Sequence, residues 1–138
     1  MQKDYILEMI EELGRVLRAV IGMKRSEPLK ALASIQTVFK ATKFESKDNF
    51  DRLTVGELEA FITEKNMNLQ TLDTLTDLLF EEADIRLDNG EYEIATRLVN
   101  KLDFLVTYIS KQEAALRIIS LKRAPQRERV SYLLKSLK

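Results

Sequence analysis

Apolar residues in the second half of the chain recur at alternating intervals of three and four, and this spacing limits the fold more than any other feature. The most regular run comprises Tyr92, Ala95, Val99, Leu102, Val106 and Ile109. Such spacing places every member on one face of an α-helix, whereas the side chains of a strand alternate every second residue. The chain also has only 4 Gly and 2 Pro to support the turns of a sheet. The sequence therefore predicts an all-α fold of six or seven helices.

Two helices are predicted in residues 1–43. The first should run from about residue 3 to residue 25 with a broad buried apolar face. Gly14 in its middle either lets a neighbouring helix approach closely, which we favour, or is tolerated at a cost of up to about 1 kcal/mol relative to Ala. The second should follow Ser26 as its N-cap, with Pro28 in the first turn, and pair with the first in an antiparallel hairpin. The apolar positions are Ile6, Met9, Ile10, Leu13, Val16, Leu17, Val20, Ala31, Leu32, Ile35, Val38 and Phe39.

Residues 44–66 are predicted to form a connection followed by a short helix. The first part, up to residue 52, is polar apart from Phe44 and Phe50, and we expect these two aromatic side chains to fix it to the core. The short helix should begin after Thr54, because Thr54 and Glu57 have the spacing of a capping box.

A second hairpin is predicted over residues 67–110. Asn68 is expected to cap a long helix that ends near Leu87, and the segment Asn89-Gly90 should form the turn before a helix that starts near Glu91. Beyond this hairpin, Ser110 and Glu113 leave two alternatives, a break in the helix or its continuation, before a helical segment over residues 114–122.

The segment from Asn89 to Ala95 resembles the turn and second-helix start of a tetratricopeptide repeat. The resemblance implies that Gly90 relieves the turn, that Tyr92 packs back on the hairpin, and that Ala95 lets the two helices approach closely. The chain departs from the repeat pattern at Glu82 and Arg86, which stand where apolar or small residues are expected.

A weaker counterpart of this segment, Ser26 to Leu32, lies 64 residues upstream of the second hairpin, so the repeats are not regularly spaced. Together with the opening segment Tyr5 to Gly14, the two hairpins resemble an uncharacterised bacterial helical family with a tetratricopeptide-like fold. This resemblance implies one helical domain over residues 1–138, arranged as a right-handed stack of hairpins. It implies no activity.

Charge is distributed unevenly along a chain whose net charge is zero. Residues 111–138, the predicted basic C-terminal helices, carry eight basic side chains against Glu113 and Glu128, which leaves 14 basic and 20 acidic side chains in residues 1–110. The last helix is expected from about Gln126, after Pro125. The candidate residues for contact with an anionic partner are Lys122, Arg123, Arg127 and Arg129.

This basic cluster has three interpretations. We favour a plain helix surface or a contact with the acidic residues between 73 and 93 of the same chain. The alternative is binding to nucleic acid, for which the cluster offers charge but no interleaved aromatic residues and no Gly-rich phosphate loop.

An acidic stripe is predicted on the first helix of the second hairpin. Its five carboxylates could bind a hard cation, but we expect them to form a solvated face opposite the leucines. They are Asp73, Asp77, Glu81, Asp84 and Asp88.

Several chemistries are excluded because the chain has no His and no Cys. Catalytic triads with His, zinc sites with His or Cys and thiolate nucleophiles all require one of these residues. We predict no cofactor. The first ten residues contain Asp4 and Glu8 and no apolar run of signal-peptide length. Nowhere in the chain is an apolar run long enough to span a bilayer. A cytoplasmic location without membrane contact is therefore expected.

These observations favour a non-catalytic protein–protein interaction module that binds another protein or itself, with a homodimer as one form. The alternatives are a nucleic-acid-binding protein and, less favoured, an enzyme that uses carboxylates. Four apolar residues beside the main stripes could form a second apolar face for a partner helix or for self-association. They are Leu7, Ile21, Ile94 and Ile118.

Overall fold

The computed structural model describes the backbone of residues 2–138 and the side chains from Tyr5 onward; Met1 and the side chains of residues 2–4, including Asp4, lie outside the described part. Within these limits the chain forms seven α-helices and no strand, which confirms the all-α prediction. The helices are α1 (Gln2–Met23), α2 (Pro28–Phe39), α3 (Lys47–Arg52), α4 (Val55–Glu64), α5 (Leu69–Asp88), α6 (Tyr92–Ala115) and α7 (Arg123–Ser136). No helix of residues 2–138 combines the length and apolarity needed to cross a membrane.

Helix α1 buries less of its apolar face than the sequence predicts. Only Leu13 and Val20 are fully buried, and the other apolar positions of that face remain partly accessible. The close approach predicted at Gly14 is wrong, because a Cβ atom there would meet nothing but Arg18 Nη1, at 3.6 Å and on the same helix. The outer side of α1 therefore faces no other helix of the chain at this point.

Helix α2 buries all five predicted apolar positions, but its N-cap differs from the prediction. The cap is Glu27 and not Ser26, and it makes no side-chain capping bond. Pro28 takes the first helical position, where its missing N–H needs no partner, so the cap falls on the residue directly before it.

The stretch predicted as a connection before Arg52 contains the short helix α3. The helix begins after Ser46, whose Oγ accepts a hydrogen bond from Asn49 N at 3.0 Å. Phe44 and Phe50, the two aromatic residues expected to fix this segment, are buried. The ring centroid of Phe44 lies 5.2 Å from that of Phe50 and 4.7 Å from that of Phe61, on which it stacks. The sequence contained this capping signal, although the lack of an apolar period concealed the helix.

Local signals for α4 and α5 are confirmed. Thr54 N donates to Glu57 Oε1 at 2.9 Å and Glu57 N donates to Thr54 Oγ1 at 3.1 Å, which completes the capping box. Asn68 Oδ1 caps α5 by accepting from Gln70 N and Thr71 N. Helix α5 then lies at the centre of the fold, where it packs against α1, α2 and α6.

The turn between α5 and α6 depends on Gly90. Its φ of +76° is in the left-handed region, and its N–H donates to Leu87 O while Glu91 N donates to Arg86 O. Ala95 is buried as expected, but Tyr92 is 57% exposed, so the expectation that it packs back on the hairpin is wrong. Tyr92 is the first residue of α6, and residues 88–90 beside it are themselves exposed.

The C-terminal region differs from the prediction at two points. Helix α6 continues through Ser110 to Ala115, and residues 116–122 form a loop where a helix was expected over 114–122. Helix α7 begins at Arg123, three residues before the predicted start, with Pro125 in its first turn. Buried apolar residues from all seven helices form one core cluster.

Candidate functional site

Basic residues of α7 and of the residue before it pair with the acidic stripe of α5. These contacts join positions 45 to 50 residues apart in the sequence, and together they attach the C-terminal segment to the body of the protein. The pairs are Lys122 Nζ with Asp73 Oδ1 at 3.0 Å and Asp77 Oδ2 at 2.8 Å, Arg123 Nη1 with Asp73 Oδ1 at 3.0 Å, and Arg129 Nη2 with Glu81 Oε2 at 3.0 Å and Asp84 Oδ2 at 2.5 Å.

The solvated face predicted for the acidic stripe is therefore wrong for four of its five members, and Asp88 alone is exposed. Lys24, directly after α1, adds a further contact, with its Nζ 2.7 Å from Glu81 Oε1 and 3.2 Å from Asp84 Oδ2. Among the described residues, no group of three or more acidic side chains has the arrangement of a metal site. The stripe serves as an internal docking surface.

Arg123 forms the most buried contact of this segment. Its Nε and Nη2 donate to the two carboxylate oxygens of Glu113 at 2.8 and 3.0 Å, and Nη1 also donates to Gln126 Oε1 at 2.7 Å. The exposed fractions of the Arg123 and Glu113 side chains are only 6% and 11%. Burial acts to lower the pKa of Arg123, but the hydrogen bonds with Glu113 and Asp73 outweigh it, and the pKa is raised. Arg123 therefore stays charged whenever the protein is folded.

Asp77 shows the cost of covering the stripe. Burial raises the pKa of this carboxyl, and the opposing hydrogen bond and charge of Lys122 do not cancel the effect. At Asp77 the ion pair with Lys122 thus offsets the desolvation of the carboxylate only in part, as is common for buried pairs.

The loop between α6 and α7 presents four aliphatic side chains to solvent. This apolar loop, residues 116–121, contains two side chains that are almost fully exposed and two that are about half exposed. The exposed fractions are 62% for Leu116, 48% for Ile118, 93% for Ile119 and 89% for Leu121. Single exposed aliphatic residues are ordinary on protein surfaces, whereas four within six residues form a patch typical of interaction sites.

The backbone of the apolar loop is held at its start. Arg117 N donates to Ala114 O at 3.1 Å and Ile118 N donates to Glu113 O at 2.8 Å, the two bonds of a Schellman helix end. Arg117 takes the left-handed position, with φ of +58°, where Gly is usual. A side chain in that conformation costs roughly 1–2 kcal/mol, so the loop keeps its path at an energetic cost.

The base of the apolar loop is closed by the pair of Glu113 and Arg123 described above, since these two residues flank it on either side. Within the loop, Ser120 Oγ accepts from Lys122 N at 3.2 Å. The exposed aliphatic residues are thus presented on an ordered segment between two packed helices.

The remaining predicted site residues are more scattered. Arg127 is exposed, and its Nη2 donates to Ser110 Oγ on α6. Leu7, Ile21, Ile94 and Ile118, suggested above as a second apolar face, are all exposed but lie on two different helices, α1 and α6, and on the apolar loop. The structure therefore does not bring all four together, although Leu7 and Ile21 share α1.

A second cluster of charges is buried between α3, α5 and α6. Lys47 Nζ lies 2.9 Å from Glu82 Oε1, in an ion pair whose angle does not suit a hydrogen bond, and Arg86 bridges Glu82 and Glu91 at 3.3 and 2.9 Å. Burial lowers the pKa of Lys101, whose Nζ donates to the backbone carbonyls of Phe50 and Asp51. Glu82 and Arg86, the two departures from the tetratricopeptide pattern, are thus members of one buried ion-pair network.

Sequence reasoning predicted the basic cluster but missed Leu116, Ile119 and Leu121 as an exposed patch. A signal was available, because Glu113 interrupts the regular apolar spacing of α6. The aliphatic residues beyond Glu113 do not continue that spacing, so they need not lie on the buried face of a helix. Comparison with protein-family models, curated proteins and solved structures finds no match to the chain.

Proposed function

We propose that the protein is a non-catalytic interaction module that binds another protein through the apolar loop of residues 116–121. The observation that carries the proposal is the exposure of four aliphatic side chains on a segment fixed at its base by Glu113 and Arg123. An ordered apolar patch loses little conformational entropy on binding, because its backbone is already in place. Arg117 and Lys122 supply a polar rim around it.

The tetratricopeptide-like arrangement of hairpins and a cytoplasmic location belong to the same proposal. Support for the former comes from the left-handed Gly90 turn, the buried Ala95 and the packing of α5 against both α1 and α6. In this arrangement the basic residues Lys122, Arg123 and Arg129 hold α7 in place and thereby position the apolar loop.

The test compares partner binding by the wild type with binding by the double variant Ile119→Ser/Leu121→Ser. Burying each of these side chains contributes about 1.5–3 kcal/mol, so their joint loss should weaken a complex by at least about a hundredfold. Leu29→Ser is the matched control, because Leu29 is a 76% exposed aliphatic residue on α2, away from the loop.

Partners should be captured from the native cell by the wild type and by the control, and lost with the double variant. Complexes should then be rebuilt from purified components and their affinities measured by calorimetry. Equal binding by all three proteins would show that the apolar loop is not the contact surface.

A further inference from the structure

Helix α1 carries an apolar stripe beside its core-facing side that the rest of the described chain covers only in part, since Leu17 packs against the core cluster. Its members are spaced 3, 4, 3 and 4 residues apart, the pattern by which one helix packs along another. Leu7 and Ile21 at the two ends are each 52% exposed, and Ile10 and Leu17 are half-buried. The outer stripe is Leu7, Ile10, Gly14, Leu17 and Ile21.

The centre of the outer stripe is open. A Cβ atom at Gly14 would meet only the Arg18 guanidinium of the same helix, and the open surface beside it is lined by residues of α1 alone, five of which are charged. A mid-helix glycine destabilises a helix relative to alanine. No other helix of the described chain uses this space, so it is open to a helix from outside the chain.

We propose that α1 pairs with α1 of a second copy of the chain in antiparallel orientation, with the two helices crossing at Gly14. The spacing supports a second copy, because the stripe extends seven residues on either side of Gly14. A twofold axis at Gly14 therefore places Leu7 of one copy beside Ile21 of the other, so that each contact occurs twice, as an isologous interface requires. The absence of a side chain at Gly14 lets the two backbones approach closely at the crossing.

Charge decides the orientation. The first half of α1 contains Glu8, Glu11 and Glu12, and the second half contains Arg15 and Arg18. Antiparallel pairing brings the acidic half of one copy onto the basic half of the other, with Glu11 close to Arg18, whereas parallel pairing would place like charges together. Both Glu11 and Arg18 are exposed, and the Arg18 guanidinium beside Gly14 has to turn away for the two helices to meet.

The pairing of two α1 helices does not involve the apolar loop, which is near the other end of the chain. It therefore goes beyond the proposed function. A single helix stripe buries less than the roughly 800 Å² per partner of a standard interface, so we expect a dimer that dissociates at micromolar concentrations.

The first experiment is sedimentation equilibrium over micromolar to near-millimolar concentrations. The wild type should dimerise, Gly14→Glu should weaken the dimer at least about tenfold, and Gly22→Glu should leave it unchanged. Gly22 is the matched control because it is an exposed glycine of the same helix, outside the stripe, with no atom within 4 Å of a Cβ built there. Circular dichroism should show that both variants keep the wild-type helix content.

The second experiment determines orientation by cross-linking, which is clean because the chain has no native Cys. Under mild oxidation, Leu7→Cys mixed with Ile21→Cys should form a mixed disulfide dimer, and neither variant alone should do so. Preferential cross-linking of Leu7→Cys to itself would overturn the antiparallel arrangement.

A monomeric wild type at all concentrations, or a dimer that survives Gly14→Glu, would overturn the pairing itself. The double variant Ile119→Ser/Leu121→Ser should dimerise like the wild type. If the wild type is monomeric yet binds a partner through the apolar loop, the pairing fails and the proposed function stands. A dimeric protein that binds no partner gives the reverse result.

Discussion

Replacement of Arg123 by methionine should destabilise the protein, because it breaks the most buried ion pair of α7. Methionine keeps most of the aliphatic volume of the arginine stem and removes the guanidinium. The change leaves Glu113 without its two hydrogen bonds, 2.8 and 3.0 Å long, at a place where its side chain is 11% exposed. It also removes one of the two cations paired with Asp73.

The expected magnitude follows from burial. Breaking a buried ion pair by removing one partner costs about 3–5 kcal/mol, because the other charge is left buried and unpaired. Asp73 keeps Lys122 as a partner, so nearly all the loss should come from Glu113, and we expect about 3 kcal/mol. A typical domain has only about 5–15 kcal/mol of stability in total, so the variant should still fold but with a clearly lower denaturation midpoint.

Urea unfolding monitored by circular dichroism measures this difference, provided that the slope with denaturant stays constant. Lys122→Met is the matched control: it removes the neighbouring cation, whose side chain is 46% exposed, and should cost no more than about 1 kcal/mol. The double variant Arg123→Met/Glu113→Leu removes both buried charges and should recover at least about 2 kcal/mol relative to the single variant.

Two results would refute this reasoning. If Arg123→Met costs no more than Lys122→Met, burial does not determine the strength of the pair. If the stability lost by the double variant equals the sum of the losses of Arg123→Met and Glu113→Leu, Glu113 and Arg123 are not coupled. The base of the apolar loop is then held by other contacts.

Three further predictions concern local features of the fold. Gly14→Ala should raise stability by up to about 1 kcal/mol, whereas Gly90→Ala should lower it by roughly 1–2 kcal/mol because φ is +76°; thermal unfolding of dilute samples that shifts both in one direction would contradict this. Thr54→Ala should cost about 1 kcal/mol through loss of the cap, and Thr54→Ser should restore it; equal urea midpoints for Thr54→Ala and wild type would show that the cap is not needed. Because the pKa of Asp77 is raised on folding, its contribution to stability is present below the unfolded pKa near 3.8 and is lost as the pH rises through the folded pKa. Asp77→Asn should remove this loss of stability with rising pH. If the unfolding free energy of the variant depends on pH across the acidic range as that of the wild type does, Asp77 makes no such contribution.

Helix positions were largely predictable because their signals are local. The stripe from Ala95 to Ile109 and the capping pair Thr54–Glu57 depend on residues within one or two turns of each other. The failures arose where local signals were weak or ambiguous. Helix α3 is too short to show an apolar period, and the helical end at Ala115 is followed by aliphatic residues that imitate a further helix.

The basic cluster of the candidate site was visible in the sequence, but its role was not. A row of acidic residues on a helix looks the same whether it faces water or another helix, because water and a basic side chain both satisfy carboxylates. In the apolar loop the residue type suggested burial that the structure does not show. Ile119 and Leu121 are of types that usually lie in the core, yet their side chains are 93% and 89% exposed.

By itself the sequence determined the helical class of the chain, most of its helices and the uneven distribution of charge, since these depend on periodicity, capping and composition. Only the tertiary structure decided that α7 docks on the acidic stripe of α5, that Glu82 and Arg86 belong to one ion-pair network, and that the outer stripe of α1 is left partly uncovered. Each of these depends on which faces meet when helices distant in sequence pack together. The spacing of residues along one helix marks its apolar face but does not identify which distant segment of the chain packs on that face.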